Sequence, residues 1–230
     1  MVDGPMTLSV IQDGVVACRR CPRLVEWRER VGREKRRAYR DEEYWARPIP
    51  GFGDPEARLL ILGLAPAAHG GNRTGRVFTG DRSGDWLYAA LHRAGFANQP
   101  TSTHLGDGLA VRDVWITAAV KCAPPDNKPL PDERDACLPW ALGELAALRK
   151  LRAVVCLGGF AWDAALRLLR EAGHAVPVPA PKFGHNAHAT VGEGIALIGS
   201  YHPSQQNTFT GRLTEPMLDD VFAAARRAIG

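Results

Sequence analysis

Residues 58–71 read RLLILGLAPAAHGG. The first six, Arg58–Gly63, form a continuous apolar run too short for a helix, which predicts a buried strand. The rest, Gly63–Gly71, dissolves into Gly, Ala, Pro and His, a loop that begins where the strand stops. The same sequence of events recurs downstream. Val114–Val120, Ala153–Leu157 and Ile195–Ser200 are further strand-like runs. Between and after them lie helical patterns. Ser83–Gly95 carries Leu87, Ala90, Leu91 and Ala94 on one face, and Asp132–Lys150 carries Leu138, Leu142, Leu145 and Leu148. Phe160–Ala172 and Leu213–Ile229 complete the set. Strand alternating with helix predicts an α/β fold, a parallel sheet covered on both faces. Upstream, Val10–Cys21 has helical spacing closed by Pro22, Leu24–Tyr39 reads as a charged, exposed helix, and Pro48–Gly53 as a loop.

The chain has 230 residues, 45% hydrophobic and 23% charged, which suits a single globular domain spanning 1–230. The longest apolar runs, Leu59–Ala68 and Ala153–Trp162, fall well short of the roughly 20 residues of a bilayer span. The start, MVDGPMTLSV, has no basic stretch before an apolar run, so no secretory leader is expected. An enzyme or binder working inside the cell, without membrane attachment, remains. Charge narrows this further. The net charge is +4, and Arg19–Arg47 alone holds 11 basic against 6 acidic residues. One basic stripe on a near-neutral body favours a polyanionic partner such as nucleic acid; a solvated helix face explains it equally simply.

In an open parallel sheet, ligands bind beyond the carboxyl ends of the strands. The stretches that follow the four strands are GLAPAAHGG (Gly63–Gly71), KCAPPDNK (Lys121–Lys128), Gly158–Gly159 and YHPSQQN (Tyr201–Asn207). Residues suited to binding and chemistry gather on this edge, and the strand starts carry nothing comparable.

Of five cysteines, Cys156 lies inside an apolar strand and reads as core. The others form Cys18-x-x-Cys21, then Cys122, then Cys137. A disulfide framework suits small secreted chains, and a structural zinc site usually uses two tight knuckles. An iron–sulfur cluster tolerates irregular spacing of four thiolates. Spacing alone leaves iron–sulfur, zinc and incidental thiols open.

Several motifs stand in order: Cys18-x-x-Cys21-Pro22; Gly63-Leu64-Ala65-Pro66-Ala67-x-x-Gly70; Gly75-Arg76-x-Phe78-x-Gly80-Asp81; Lys121-Cys122-Ala123-Pro124-Pro125-x-Asn127-Lys128-Pro129; Cys137; and His202-Pro203-Ser204-x-x-Asn207. Each is weak alone. The ordered set, covering most of the chain, resembles the iron–sulfur uracil-DNA glycosylases of the family 5 (UDGb-type) branch. The resemblance implies a three-layer α/β/α sandwich around a four-stranded parallel sheet of order 2-1-3-4. It implies a structural [4Fe–4S] cluster on Cys18, Cys21, Cys122 and Cys137, packing the basic segment 1–57 onto the body as a flank of a DNA channel. The related family 4 enzymes carry Glu where Leu64 stands and Asn where Ala118 stands. The branch resembled accordingly accepts a wider set of deaminated bases, including hypoxanthine and xanthine. Phe183–His188 matches only partly, and His185 and His188 receive no role.

A glycosylase must take its base out of the stack. Phe78 is the expected stacking ring, with a core Phe as the plainer alternative. The departing base needs a donor for its developing charge, and His202 is the candidate, as neutral imidazole or as imidazolium. A water must be held on the sugar's far face. Asp81 would orient or deprotonate it, unless it serves only to cap the following helix; Asn127 would share that water, unless it is only a turn residue. Gly63, Ala65 and Ala67 offer close backbone approach to the base, and Asn207 a contact where the base leaves. Arg76, Lys121 and Arg212 are expected on DNA phosphates. Together these imply a monofunctional glycosylase of base-excision repair, a monomer acting on DNA and associated with a prokaryotic nucleoid. Lys121 stands near enough to the motifs to leave a Schiff-base step open. A non-catalytic, metal-stabilised nucleic-acid binder is the alternative. A phosphate-binding reading of GLAPAAHGG lacks the Lys-Ser/Thr of a P-loop.

Overall fold

A computed structural model describes residues 6–230. In chain order its elements are α1 (Leu8–Val16), α2 (Pro22–Glu34), β1 (Phe52–Gly53), β2 (Leu59–Gly63), α3 (Gly71–Thr74), α4 (Arg82–Arg93), β3 (Val114–Ala118), α5 (Pro131–Ala147), β4 (Ala153–Leu157), α6 (Gly159–Glu171), β5 (His188–Val191), β6 (Ile195–Ser200), α7 (Gln205–Phe209) and α8 (Glu215–Ile229), with 3-10 turns at Arg37–Tyr39 and Pro125–Asn127. β2, β3 and β4 are buried along their whole length, which is why they read as unbroken apolar runs.

The sheet corrects the expectation of four parallel strands. It is mixed and six-stranded, in the order β1-β3-β2-β4-β6-β5. The central four, β3-β2-β4-β6, are parallel and stand in the anticipated 2-1-3-4 order. Each edge adds an antiparallel strand. Neither edge strand carries an apolar signature. β1 is two residues long and falls where a loop was expected. Along β5 only Val191 is buried.

Side chains alternate across the pleat. Leu59 and Ile61 point into a core with Leu87, Leu91, Val221 and Phe222 of α4 and α8. Leu60 and Leu62 point the other way, against Leu145, Trp162 and Leu169 of α5 and α6. Three layers result. The first helix is shorter than its periodicity suggested: Thr7 caps it, accepting from Val10 N at 3.4 Å, and it ends at Val16. Cys18 therefore lies in a turn, and Cys21 is the residue before Pro22, which opens α2 at the position where proline is tolerated best. The charged helix stops at Glu34, and only the short turn follows.

Two residues expected on DNA are interior. Arg76 is 3% exposed. Its guanidinium forks onto both oxygens of Asp107 at 2.8 and 2.6 Å and reaches Thr79 and Ser102 at 3.0 and 2.8 Å. Lys121 is 1% exposed and pairs with Glu144 at 2.6 Å. Neither is available to a phosphate, and Lys121 offers no amine to a sugar aldehyde. Their motif positions reflect folding of the loops rather than contact with substrate.

Burial alone would raise the Asp107 carboxyl. Arg76 and the backbone N–H groups of Thr103 and Leu109 outweigh it and hold the group well below the usual carboxylate range. Its contribution to stability is complete above the unfolded value of about 3.9 and is lost as pH falls toward the folded one. D107N keeps the shape but leaves a buried guanidinium uncompensated, so it is expected to cost about 3–5 kcal/mol. Urea unfolding at neutral pH measures this, and the difference from wild type should shrink in acid.

Candidate active site and cysteine pocket

The four parallel strands end on one side of the sheet, and their loops build a cleft of about 640 Å³ there. The region after β2 supplies Ala67–Gly70 and Gly80–Ser83, that after β3 supplies Pro124, Asp126 and Asn127, and that after β6 supplies Ser204–Gln206. Trp27, Arg36 and Tyr39 of the basic segment line the same space.

Asp81 caps α4, its Oδ1 accepting from Gly84 N at 3.1 Å. Its other oxygen lies against the backbone of Gly70, where an added Cβ would stand 2.0 Å from Oδ2. Only glycine at 70 leaves room for the carboxylate. Burial raises the Asp81 carboxyl above its ordinary value, against the opposing pull of the Gly84 and Ser83 N–H groups and Arg73. Asn127 lies exposed on the same cleft, in a turn where it and Asp126 both take left-handed backbone angles.

Phe78 also has positive φ, +50°, a conformation that costs a non-glycine residue of order 1 kcal/mol or more. The loop holds it there through Tyr88, whose hydroxyl donates to Val77 O at 3.0 Å. The ring lies over Gly63, where a Cβ would meet Phe78 Cζ at 2.5 Å. Its centroid is 6.0 Å from that of His202. Burial pushes the His202 imidazole down to about 4, so it is neutral at physiological pH. Asn207 donates from Nδ2 to His202 O at 2.9 Å and so ties the loop behind the imidazole. Ala67 lines the cleft, while Ala65 packs beside the cysteines. Arg212 is exposed, its guanidinium 4.6 Å over the Tyr201 ring. His185 accepts from Tyr201 N at 3.1 Å and His188 contacts Asn186 at 3.0 Å; neither lines the cleft.

All five cysteines are free thiols. Cys156 is wholly buried in β4. Cys18, Cys21, Cys122 and Cys137, from the α1–α2 turn, the edge of α2, the loop after β3 and α5, line one pocket with Leu24, Arg28 and Trp140. Arg28, 2% exposed, donates from Nη1 to Cys122 Sγ at 2.9 Å, and Lys121 N donates to Cys137 Sγ at 3.2 Å. Burial pushes Cys122 up to about 11 and Cys137 up to about 12. Thiolates there need a positive partner. Among the described residues no three such ligands stand close enough to share one metal ion.

Sequence reasoning missed Trp27, Arg36, Tyr39 and His69. The aromatics interleaved with arginine in the basic segment were a usable signal; His69 stood in a quoted loop without an assigned role.

Comparison with known proteins points to one family. The uracil DNA glycosylase superfamily model matches residues 50–226. The chain is 57% identical over 217 residues to the type-5 uracil-DNA glycosylase of Mycobacterium tuberculosis, covering 94% of this chain and 80% of that one. It is 54% identical to the Mycobacterium leprae type-5 enzyme, over 99% and 98% of the two chains, and 52% identical to the Thermus thermophilus type-5 enzyme, over 94% and 95%. A type-4 enzyme of Pyrobaculum aerophilum is 30% identical over 70% of this chain and 74% of its own. With glycine, carboxylate and histidine loops on one sheet edge and relatives aligned nearly end to end, this chain belongs to the uracil-DNA glycosylase superfamily and, within it, to the type-5 branch.

Proposed function

We propose that this uracil-DNA glycosylase, a hydrolase of N-glycosyl bonds in DNA repair, excises its base with Asp81, Asn127, Phe78 and His202 and leaves an abasic site without cutting the strand. The observation that carries the assignment is the Gly70–Asp81 contact: the loop after β2 lacks a Cβ at the one place where it would displace the carboxylate.

Phe78 stacks on the everted base beside Gly63. As the C1′–N bond breaks, its electron pair leaves with the base. His202, neutral at working pH, donates an N–H hydrogen bond to the base oxygen rather than supplying charge. A water held by Asp81 and the Asn127 amide adds to C1′, and its proton passes to Asp81. The raised Asp81 carboxyl is a better base than an exposed aspartate. Gly63, Ala65 and Ala67 keep the loop small, and Ala118 ends β3 in a buried methyl. With no polar side chain at Ala118 or Leu64 to demand a pyrimidine edge, hypoxanthine and xanthine join uracil as substrates.

DNA lies along the cleft mouth. Arg212 and the basic segment meet phosphates, and Phe209, 69% exposed next to Arg82, enters the groove with the Thr208–Arg212 loop. The enzyme acts as a monomer inside the cell, on nucleoid DNA, and 1–230 forms one domain. Among the described residues no helix is long and apolar enough to cross a membrane.

The donor set of the cysteine pocket fits a [4Fe–4S] cluster. Four thiols from three segments line one space, and two of them already accept N–H hydrogen bonds. A cluster takes one thiolate per iron, and so tolerates ligands spread wider than a single zinc ion does. Bound there, it would supply four iron–thiolate links fastening α2 to α5 and the loop after β3.

Single-turnover release of uracil from an oligonucleotide tests the mechanism, with strand breakage expected only after alkali. D81N should slow release about 10²–10⁴-fold and H202L about 10²–10³-fold. Wild-type rate should fall in acid as Asp81 protonates, with no limb near neutrality from His202. Gly70 takes φ −100° and ψ −107°, outside the helical and extended regions, so G70A is compared by circular dichroism with wild type, and where its spectrum is native it should lose about 100-fold in rate by displacing Asp81. Wild-type rates in D81N and G70A would overturn the assignment. Wild type should carry iron and sulfide, and C18S and C122S should lose them; wild type without either would remove the cluster, and variants that keep both would remove Cys18 and Cys122 as its ligands.

A further inference from the structure

The mechanism uses no side chain of α3, yet Arg73 there bonds to three separate segments around the cleft. Its side chain is 10% exposed. Nε donates to His69 O at 2.9 Å, and Nη2 donates to Gly80 O at 2.9 Å. Nη1 pairs with the Glu42 carboxylate. The guanidinium carbon stands 4.0 Å over the Tyr39 ring, near enough for a cation–π contact.

The two carbonyls matter by their place in the chain. Gly80 directly precedes Asp81. His69 directly precedes Gly70, the residue whose missing side chain admits the Asp81 carboxylate. Tyr39 and His69 both line the cleft. One planar fork thus fixes the backbone on each side of the carboxylate and fastens the aromatic wall to it. We propose that Arg73 is a positioning residue: it sets the Asp81 carboxylate and locks the Tyr39 segment to the same frame. This rests on the reading of Asp81 as the group that holds the attacking water.

Lysine cannot substitute fully. A single ammonium cannot reach two carbonyls and a carboxylate in one plane while stacking on a ring. The positive charge also counts. Arg73 favours the ionised form of Asp81, while Asp85 on α4 opposes it. Arg36, His69, Arg82 and Asp126 line the same cleft. Loss of the Arg73 charge should therefore raise the Asp81 carboxyl further, and the acid limb of the rate profile should move to higher pH. A purely structural role would leave that limb in place.

The test compares R73K, R73Q, D81N and R73K/D81N in single-turnover release of uracil, across pH and across enzyme concentration. R73Q should lower the maximal rate about 30-fold and R73K about 10-fold, with half-saturating enzyme changed less than about threefold, since misplacement rather than binding is lost. The acid limb should rise in R73Q and stay in R73K, which keeps the charge. Adding R73K to D81N should cost nothing more, because Arg73 acts through Asp81. Should R73Q fail to fold, R73K with a native circular dichroism spectrum and the double variant carry the test. Wild-type maximal rates in R73K and R73Q, with D81N inactive, would overturn the proposal alone. An active D81N would overturn the reading of Asp81 and this proposal with it.

Discussion

The candidate cleft is walled partly by residues that belong to no strand or loop of the sheet. Trp27, Arg36 and Tyr39 come from the basic N-terminal segment, so the shape of the cleft depends on how that segment is fastened. The fastening is polar. Arg28 reaches Cys122 Sγ and the Cys18 carbonyl. Arg23 forks onto Glu133 of α5 at 2.7 Å through each nitrogen. The buried Asn72 amide donates to Arg28 O at 3.2 Å. Around the cysteines the apolar contribution is small: Leu24, Val120 and the two buried thiols form a minor cluster apart from the main cores, which take Leu8 and Ile49 of the same segment. Such a junction is strong only when its charges are fully partnered. That demand gives four converging cysteines a physical purpose, because bonds to a shared centre would reinforce a junction whose apolar cluster is small.

Beneath that junction runs a second buried ionic link. Glu144 of α5 pairs with Lys121, accepts from Thr117 Oγ1 at 2.9 Å and from Gly51 N at 3.1 Å. A buried pair like this adds little net stability over apolar packing, since desolvation offsets most of the attraction. Its effect is on location. It binds β3, the loop that follows, the α5 face and the approach to β1 into one arrangement, and the backbone N–H of Lys121 meets Cys137 Sγ from there. A lysine in the motif after a strand thus serves the fold of that motif.

This explains which residues were legible beforehand. The four parallel strands announced themselves because burial on both faces forces continuous apolar runs. The loops after them announced themselves because close backbone approach needs Gly, Ala and Pro. β1 and β5 did not, since edge strands owe their pairing to neighbours rather than to their own side chains. Arg76 and Lys121 misled for a related reason. Composition treats every cation as surface, and only the positions of Asp107 and Glu144 in space reveal that these two are spent on internal pairs. Arg212, which forms no ion pair among the described residues, is exposed and stacks on the Tyr201 ring.

Asp81 posed a choice in the sequence between helix cap and catalytic base; the structure shows the cap, and the proposed base role would fall to the other oxygen. The carboxylate divides its oxygens. Oδ1 accepts from Gly84 N, the usual bond of an N-cap, and fixes the rotamer. Oδ2 faces the bare backbone of Gly70 on the cleft. The cap draws the carboxyl down and burial draws it up, and burial prevails. A base without the cap would be more basic but free to rotate. A cap in open solvent would be rigid but a weak acceptor of protons. Placing the N-terminus of α4 at the cleft gives one side chain a fixed orientation and a raised carboxyl, so under the proposed mechanism the helix start and the chemistry would occupy the same residue.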